Sequence, residues 1–422
     1  MTTTLEHPTE HATSTRSGSR SKRPPTSGSA SAAARDLPLL PVAGILELHD
    51  QHGFLRVDGY LPGPRDLYVP AALIRRHGLR AGDLIDGAAA AEQSGSDSGS
   101  AGQPRQAKAH PLARVDLING RAADELTRRP RFAELTPLYP QQRLRLETVP
   151  GLAGTRAIDL LAPIGKGQRG LIVAQPKTGK TMLLQAIAKA VVLNHPECHV
   201  MVVLLDERPE EVTDMRRSVD AEVIASTFDR PAHEHIAVAE LAVERAKRLA
   251  EQGTDVVILL DSLTRLCRAH NNNAKSGGRT LSGGVDAAAV AGPKQLFGAA
   301  RNLEEAGSVT ILATALIDTG SRADEYYFEE LKSTGNMELR LDRALADKRI
   351  FPAIDLPGSG TRRDDLLMTA DELDAVRRLR RALANQPGGQ GVEVLLERMK
   401  QTGSNAELLQ RIRQTTVVAP GA

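Results

Sequence analysis

Apolar positions are spread unevenly along the 422 residues of the chain. Residues 1–36 are mostly Thr, Ser, Arg, Pro and Ala, with almost no apolar periodicity. Such a segment buries too little surface to offset its ordering entropy, and a disordered polar tail is expected. Residues 37–118 read as short strands at 44–48, 53–57, 66–69, 83–86 and 111–118, with a helical turn or two at 71–77. Several short strands in so few residues predict a small barrel of the OB-fold, cold-shock-like kind. Four alanines followed by Ser, Gly and Gln mark 88–110 as a low-complexity insertion, expected to be a loop. Residues 119–150, rich in Arg and Pro, are expected to be a linker.

From 151 to 422 the pattern becomes strand, helix, strand, helix. Apolar runs at 171–173, 199–205, 223–226, 255–260, 308–314 and 350–354 predict strands, and 182–193 and 236–251 predict helices. That alternation predicts an α/β domain on a parallel sheet, which binds ligands beyond the carboxyl ends of its strands. Three of the runs deliver polar residues to that edge.

The run 171–173 leads into Lys177, Thr178, Gly179, Lys180 and Thr181 and then an apolar helix. This is the order of a P-loop, in which backbone N–H groups and a helix N-terminus meet phosphates. Ala174 stands where the first consensus glycine is usual. Lys180 is the candidate cation for the β- and γ-phosphates of ATP, Lys177 a second one, and the Thr181 hydroxyl a ligand for Mg²⁺. The run 255–260 delivers Asp261 in the manner of a Walker B strand, to the same Mg²⁺. Glu207, at the tip of 199–205, is the candidate to orient or deprotonate the attacking water. Arg208 follows it. Arg362, on a Gly-rich turn, is the candidate arginine supplied in trans, which implies a ring or a filament. Polar loops at 271–284 and 318–322 bring Arg279 and Arg322 as candidates to track a nucleic-acid backbone.

Composition narrows the picture further. A formal net charge of +2 leaves only local basic patches for nucleic acid. The two cysteines, Cys198 and Cys267, have no metal-ligand spacing. No apolar run reaches the roughly 18 residues of a membrane span, and the N-terminus lacks the core of a secretory signal. A cytoplasmic protein without a membrane partner is expected. Aromatic residues are only 3%, so each one matters. Phe54 and Tyr68 are either base-stacking faces or barrel core, while Arg56 and Arg75 are candidates to meet phosphates.

Further segments carry a resemblance: PIGKGQRG at 163–170, LDERPEEV at 205–212, DSLTR at 261–265, FGAARN at 297–302, ATALIDTGS at 313–321 and TGNME at 334–338. In this order, and almost unbroken from about 134 to 370, they resemble the family of bacterial transcription termination factor Rho. The resemblance implies a hexameric, RNA-dependent ATPase and helicase acting on nascent single-stranded RNA at RNA polymerase. It implies ATP contacts at Gly165, Lys166, Gly167, Gln168, Arg169 and Gly170, at Lys177, Thr178, Gly179, Lys180, Thr181 and Met182, and at Arg208. Phe351 matches the aromatic near the adenine, Glu207 the catalytic carboxylate, Asp261 the Mg²⁺-linked aspartate and Arg362 the arginine finger. Loop 278–284 and Arg322 resemble the two channel loops, with Arg279 in place of a more usual lysine. Phe54, Arg56, Asp66 and Tyr68 resemble the primary RNA surface, and Lys108 stands near a basic-aromatic site of the barrel. The family commonly begins with a small helix bundle, where this chain has a polar tail, and His52 replaces another aromatic. Two rival functions share parts of this pattern: a rotary ATPase subunit, and a non-catalytic RNA-binding protein with structural ATP.

Overall fold

The computed structural model describes residues 39–50, 52–90, 110–126, 129–274, 284–286, 288–384, 386 and 390–415. The expected tail at 1–36, Lys108 and Arg279 lie outside the described residues. An antiparallel barrel comes first: β1 (Leu39–His49), β2 (His52–Arg56), β3 (Leu67–Val69), α1 (Ala71–His77), β4 (Leu84–Ala90) and β5 (Leu112–Ile118). The strands lie in the order β3-β2-β1-β4-β5. A parallel bridge between Tyr68 and Pro111 brings the start of β5 to β3, and the Tyr68 N–H donates to the His110 carbonyl at 2.8 Å. Leu46, Leu55, Val69, Ile85 and Ile118 fill the interior and are fully buried.

The alanine run was expected to open a loop at 88. Instead Gly87 to Ala90 belong to β4, paired with β1 on one side and β5 on the other, and Ala88 and Ala89 are buried. A central strand tolerates small residues where its neighbours approach closely. Composition had suggested the opposite.

The second domain carries seven main strands: β6 (Arg169–Ala174), β7 (His199–Glu207), β8 (Glu222–Thr227), β9 (Val256–Asp261), β10 (Ser308–Leu316), β11 (Met337–Arg340) and β12 (Gly360–Thr361). Their order is β8-β7-β9-β10-β6-β11-β12, parallel except for β12. Near-continuous apolar runs such as Val256–Asp261 fit strands buried on both faces. The helices are α2 (Ala153–Leu161), α3 (Lys180–Asn194), α4 (Pro209–Ser218), α5 (Ala232–Ala250), α6 (Leu263–Asn273) and α7 (Ala288–Phe297). After them come α8 (Arg322–Lys332), α9 (Arg343–Asp347), α10 (Ala370–Ala384), α11 (Gln390–Lys400) and α12 (Asn405–Thr415). One sheet face is covered by α2, α3, α4 and α10 to α12, the other by α5 to α8.

Residues 350–354, expected as a strand, form a turn with a cis Phe351–Pro352 bond and a single bridge from Ile354 to Leu341. Pro352 has no N–H for a ladder, which is why the apolar run does not extend the sheet. Segment 119–150 is bound down rather than free. Phe132 is buried with its N–H donated to Glu251 at 2.8 Å, and Pro137–Leu138 pairs with Arg301–Leu303. The barrel rests on α5 through Gly82, where an added Cβ would lie 2.3 Å from the Glu244 carbonyl carbon. The Tyr60 hydroxyl donates to Glu222 at 2.7 Å, and Arg80 pairs with Glu251 at 2.8 Å.

Candidate functional site

β6 ends at Ala174, and the chain turns through Lys177 (φ +66°) and Gly179 (φ +87°) into α3. The Thr178 hydroxyl donates to the Gln175 carbonyl at 2.8 Å and holds the turn. No side chain caps the N-terminus of α3. Its first N–H groups are therefore available to an anion, and the helix dipole favours one there. This is the cradle the sequence predicts.

Three side chains converge beside it. The Lys180 Nζ lies 2.5 Å from Asp261 Oδ1 and 3.6 Å from Glu207 Oε1. Asp261 Oδ1 also accepts from the Thr314 hydroxyl at 2.8 Å. Glu207 is buried, and its pKa is raised above the ordinary carboxylate value. Burial is the larger cause and the Asp261 charge the second, while Lys180 and Arg265 pull the other way. The strand prepares this position with a bulge: Asp206, in the left-handed region at φ +55°, interrupts the β7–β8 register between Leu205 and Glu207. Bulges re-aim side chains, and here one turns Glu207 towards Lys180. Arg265 steadies both acidic residues, bonded to Asp206 and 3.5 Å from Glu207 Oε1. Arg265 and Thr314 had not been singled out as site residues. Both lie in segments that carry the resemblance, Arg265 at the end of DSLTR and Thr314 within ATALIDTGS, but the contact of Thr314 with Asp261, 53 positions away, depends on β9 and β10 lying side by side.

Phe351 reaches the P-loop from the 350–354 turn, since a Cβ on Gly179 would lie 3.3 Å from its ring. The ring is 47% exposed, and Met182 on the first turn of α3 is 77% exposed. Thr181 is partly exposed beside Lys180, and Arg208 is exposed at the start of α4 next to Glu207.

The residues at 165–170, expected to contact ATP, lie away from the P-loop of their own chain. This segment leads into the amino end of β6, and about 17 Å of strand separates Arg169 from Ala174 and the P-loop. Lys166 is bonded there to Asp255 (2.7 Å) and Glu197 (3.0 Å), and Arg169 to the carbonyls of Thr334 and Ala300. Gly167, at φ +90°, is pressed on the Asn302 backbone, and the Gln168 amide donates to Asn336. Gly165 and Gly170 have side chains packed where a Cβ would stand. These residues tie loops to the sheet and do not reach the P-loop of their own chain. Arg362 is likewise distant: Thr361 pairs with Met337, which pairs with Gly170 at the same far end. Its side chain is exposed.

On the barrel, Leu55, Leu67 and Val69 point inward, so Phe54 and Tyr68 between them stand on the outer face. Their ring centroids are 6.2 Å apart, and His52 lies 5.8 Å from each. His49 extends the strip, 5.8 Å from Phe54. The core alternative for Phe54 and Tyr68 is thereby removed. Arg56 differs from expectation. It is buried, ion-paired with Glu47 and with Asp66 (2.5 Å), and its guanidinium lies 5.5 Å from the Phe54 centroid. A cation fixed between two carboxylates is no free phosphate contact; it braces the Phe54 ring from within the barrel. Arg75 is exposed on α1. Arg322 is the exposed first residue of α8, whose Asp324 is bonded by Arg268 (2.9 Å) and the Thr319 hydroxyl (2.6 Å). Among the described residues no helix is long and apolar enough to cross a membrane.

Comparison with known proteins agrees with both parts. Residues 154–360 match the ATP synthase alpha/beta family, nucleotide-binding domain, and 42–124 match the Rho termination factor, RNA-binding domain. Transcription termination factor Rho of Streptomyces lividans is 61% identical over 378 residues, covering 90% of this chain and 52% of that protein. The chain thus spans about half the length of that relative. Transcription termination factor Rho of Streptomyces coelicolor is 56% identical over 418 residues, 98% of this chain and 90% of that one. The fold is similar to that of the assembled ATPase EscN from the enteropathogenic E. coli type III secretion system, with a TM-score of 0.55, 22% identity, and coverage of 72% of this chain and 77% of that one. The chain belongs to the transcription termination factor Rho family.

Proposed function

We propose that the chain is an ATP-driven RNA translocase and helicase that terminates transcription by pulling nascent single-stranded RNA away from RNA polymerase. The observation that carries this reading is the convergence of Lys180, Glu207 and Asp261 beside an open helix N-terminus. A structural nucleotide site has no need of the buried Glu207. In the proposed cycle the P-loop N–H groups and Lys180 hold the triphosphate, with Lys177, Thr178, Gly179 and Met182 around it. Glu207 takes a proton from the attacking water. The Thr181 hydroxyl and the Asp261 carboxylate are hard oxygen donors of the kind Mg²⁺ takes, and they would hold it. Bound there, Mg²⁺ neutralises charge on the phosphates. Arg362 of a neighbouring copy would stabilise the loosening γ-phosphoryl, which implies a ring, taken to be a homohexamer. In this reading the barrel (37–118) loads RNA on Phe54 and Tyr68, with the Arg56–Asp66 pair holding the Phe54 ring in place, and the motor (151–422) drives it with Arg279 and Arg322. The cytoplasm is where such an activity would act.

The test is ATP hydrolysis with and without a C-rich single-stranded RNA. Strong stimulation that disappears in Lys180→Ala is expected. Hydrolysis indifferent to RNA would favour a rotary-type ATPase, and none under either condition a binding protein.

A further inference from the structure

The C-terminal helices have no part in the nucleotide chemistry above. A cavity of about 730 Å³ opens beside Phe351, bounded by Ala153 at the start of α2 and by Glu393, Leu396, Glu397 and Lys400 of α11. Its size falls in the range of small-molecule clefts, roughly 300–1,000 Å³. Phe351 connects it to the P-loop, lying against Gly179 while also lining the cavity. Packing brings α2, α3 and this turn together: a Cβ on Gly154 would lie 3.8 Å from Leu183 and 4.0 Å from Pro352.

The α11 wall is tied from behind. Arg156 of α2 is fully buried and donates to the carbonyls of Met399 (2.8 Å) and Thr402 (3.0 Å), the Thr402 hydroxyl (3.0 Å) and Asn405 Oδ1 (3.2 Å). Each of those acceptors would lose a charged donor if Arg156 were removed. The end of α11 is thus fixed relative to the helix across the cavity. On the exposed side of that wall, Lys400 Nζ stands 3.6 Å from Glu397 Oε2. A carboxylate and an ammonium side by side match a nucleobase edge, where an exocyclic amine donates and a ring nitrogen accepts.

We propose that α11 is the base-recognition wall of the nucleotide site. Glu397 and Lys400 are its specificity-determining residues, and Arg156 positions them. The proposal rests on the P-loop and Phe351 being the nucleotide site. A purine stacked on Phe351 reaches this wall with its six-membered ring, whereas a pyrimidine, lacking the fused second ring, falls short of it.

The experiment is RNA-stimulated hydrolysis by the full chain, with KM measured for ATP and CTP and the competitive Ki for tripolyphosphate, which has no base. The double variant Glu397→Ala, Lys400→Ala is expected to raise KM for ATP about five- to tenfold. KM for CTP and Ki for tripolyphosphate are expected to stay within about twofold. Both side chains are exposed, so the fold should survive, and an unchanged melting temperature checks it. Arg156→Lys, which keeps the charge but loses the fork, should move KM for ATP in the same direction without moving Ki. An unaltered KM for ATP in the double variant overturns the proposal. So does a parallel rise in KM and Ki, because α11 would then act on the whole site. Phe351→Ala tests the underlying reading separately: if it leaves KM for ATP unmoved, the cavity is not the base site.

Discussion

In the proposed cycle Glu207 is the residue prepared for proton transfer. Burial and Asp261 raise its pKa, so it binds a proton at a pH where an ordinary glutamate, with a pKa near about 4.3, is already ionised. A base must be ionised to accept a proton. Hydrolysis should therefore fall as pH drops through a value above the ordinary glutamate range, and a pH–rate profile measures it. Glu207→Gln should keep ATP binding and lose turnover by at least about a hundredfold, checked by nucleotide titration beside steady-state hydrolysis. Phe54 has the corresponding part on the barrel in the proposed function. Stacking contributes about 1–3 kcal/mol per base, so Phe54→Ala should weaken binding of a short single-stranded RNA roughly five- to hundredfold. RNA-independent ATP hydrolysis should not follow it, because the ring strip lies outside the P-loop site. Unaltered RNA affinity would mean the outward rings hold no base.

Among elements, the seat of the barrel on α5 is an exacting contact. Gly82 has φ +80° and an α5 backbone 2.3 Å from where a Cβ would sit, whereas Gly120 has φ +78° and nothing within 4 Å. Ala at either site costs backbone strain, on the order of 1–3 kcal/mol. Only Gly82→Ala must also push the barrel off the motor. It should lower the melting temperature more than Gly120→Ala does, and reduce RNA stimulation of hydrolysis while the barrel still binds RNA. Equal effects would mean the seat is soft. The same long-range character explains what the sequence shows and what it hides. Strand, P-loop and helix are contiguous, so residues 171–193 disclose them directly. The pairing of Arg56 with Glu47 and Asp66 depends on which strands become neighbours. The Ala88 and Ala89 run looks featureless until two strands flank it, and Pro352 decides against a strand at 350–354 only through the missing ladder bond. Segment 165–170 borders the P-loop strand in sequence yet lies at its opposite end in space, because the strand between them is straight.

That end-to-end separation decides how the whole molecule can work. Arg362 sits beside Asn336 and Arg169, at the amino end of β6, while Lys180 and Glu207 lie at the carboxyl edge of the sheet. No side-chain rotation spans the length of a strand, so Arg362 cannot serve the P-loop of its own chain. If it is the arginine of the transition state, it must act on the next copy, and each active site then contains two chains. Mixing makes this measurable. Arg362→Ala subunits, exchanged into wild-type assemblies in rising proportion, would each disable a neighbour's site while keeping their own P-loop intact. Should the sites also fire in sequence around a ring, one defective junction stalls the others, and activity falls faster than the wild-type fraction. Lys180→Ala subunits serve as the comparison, since they lose their own site and still lend Arg362. If instead each junction fires on its own, an equimolar mixture of the two variants should regain hydrolysis, because wherever an Arg362→Ala chain is followed by a Lys180→Ala chain in the right order, one junction has both an intact P-loop and an intact arginine. A fall no steeper than the wild-type fraction in the first mixture, together with no recovery in the second and with assembly confirmed by sedimentation, would return Arg362 to an ordinary surface residue and remove the reason for expecting a shared site.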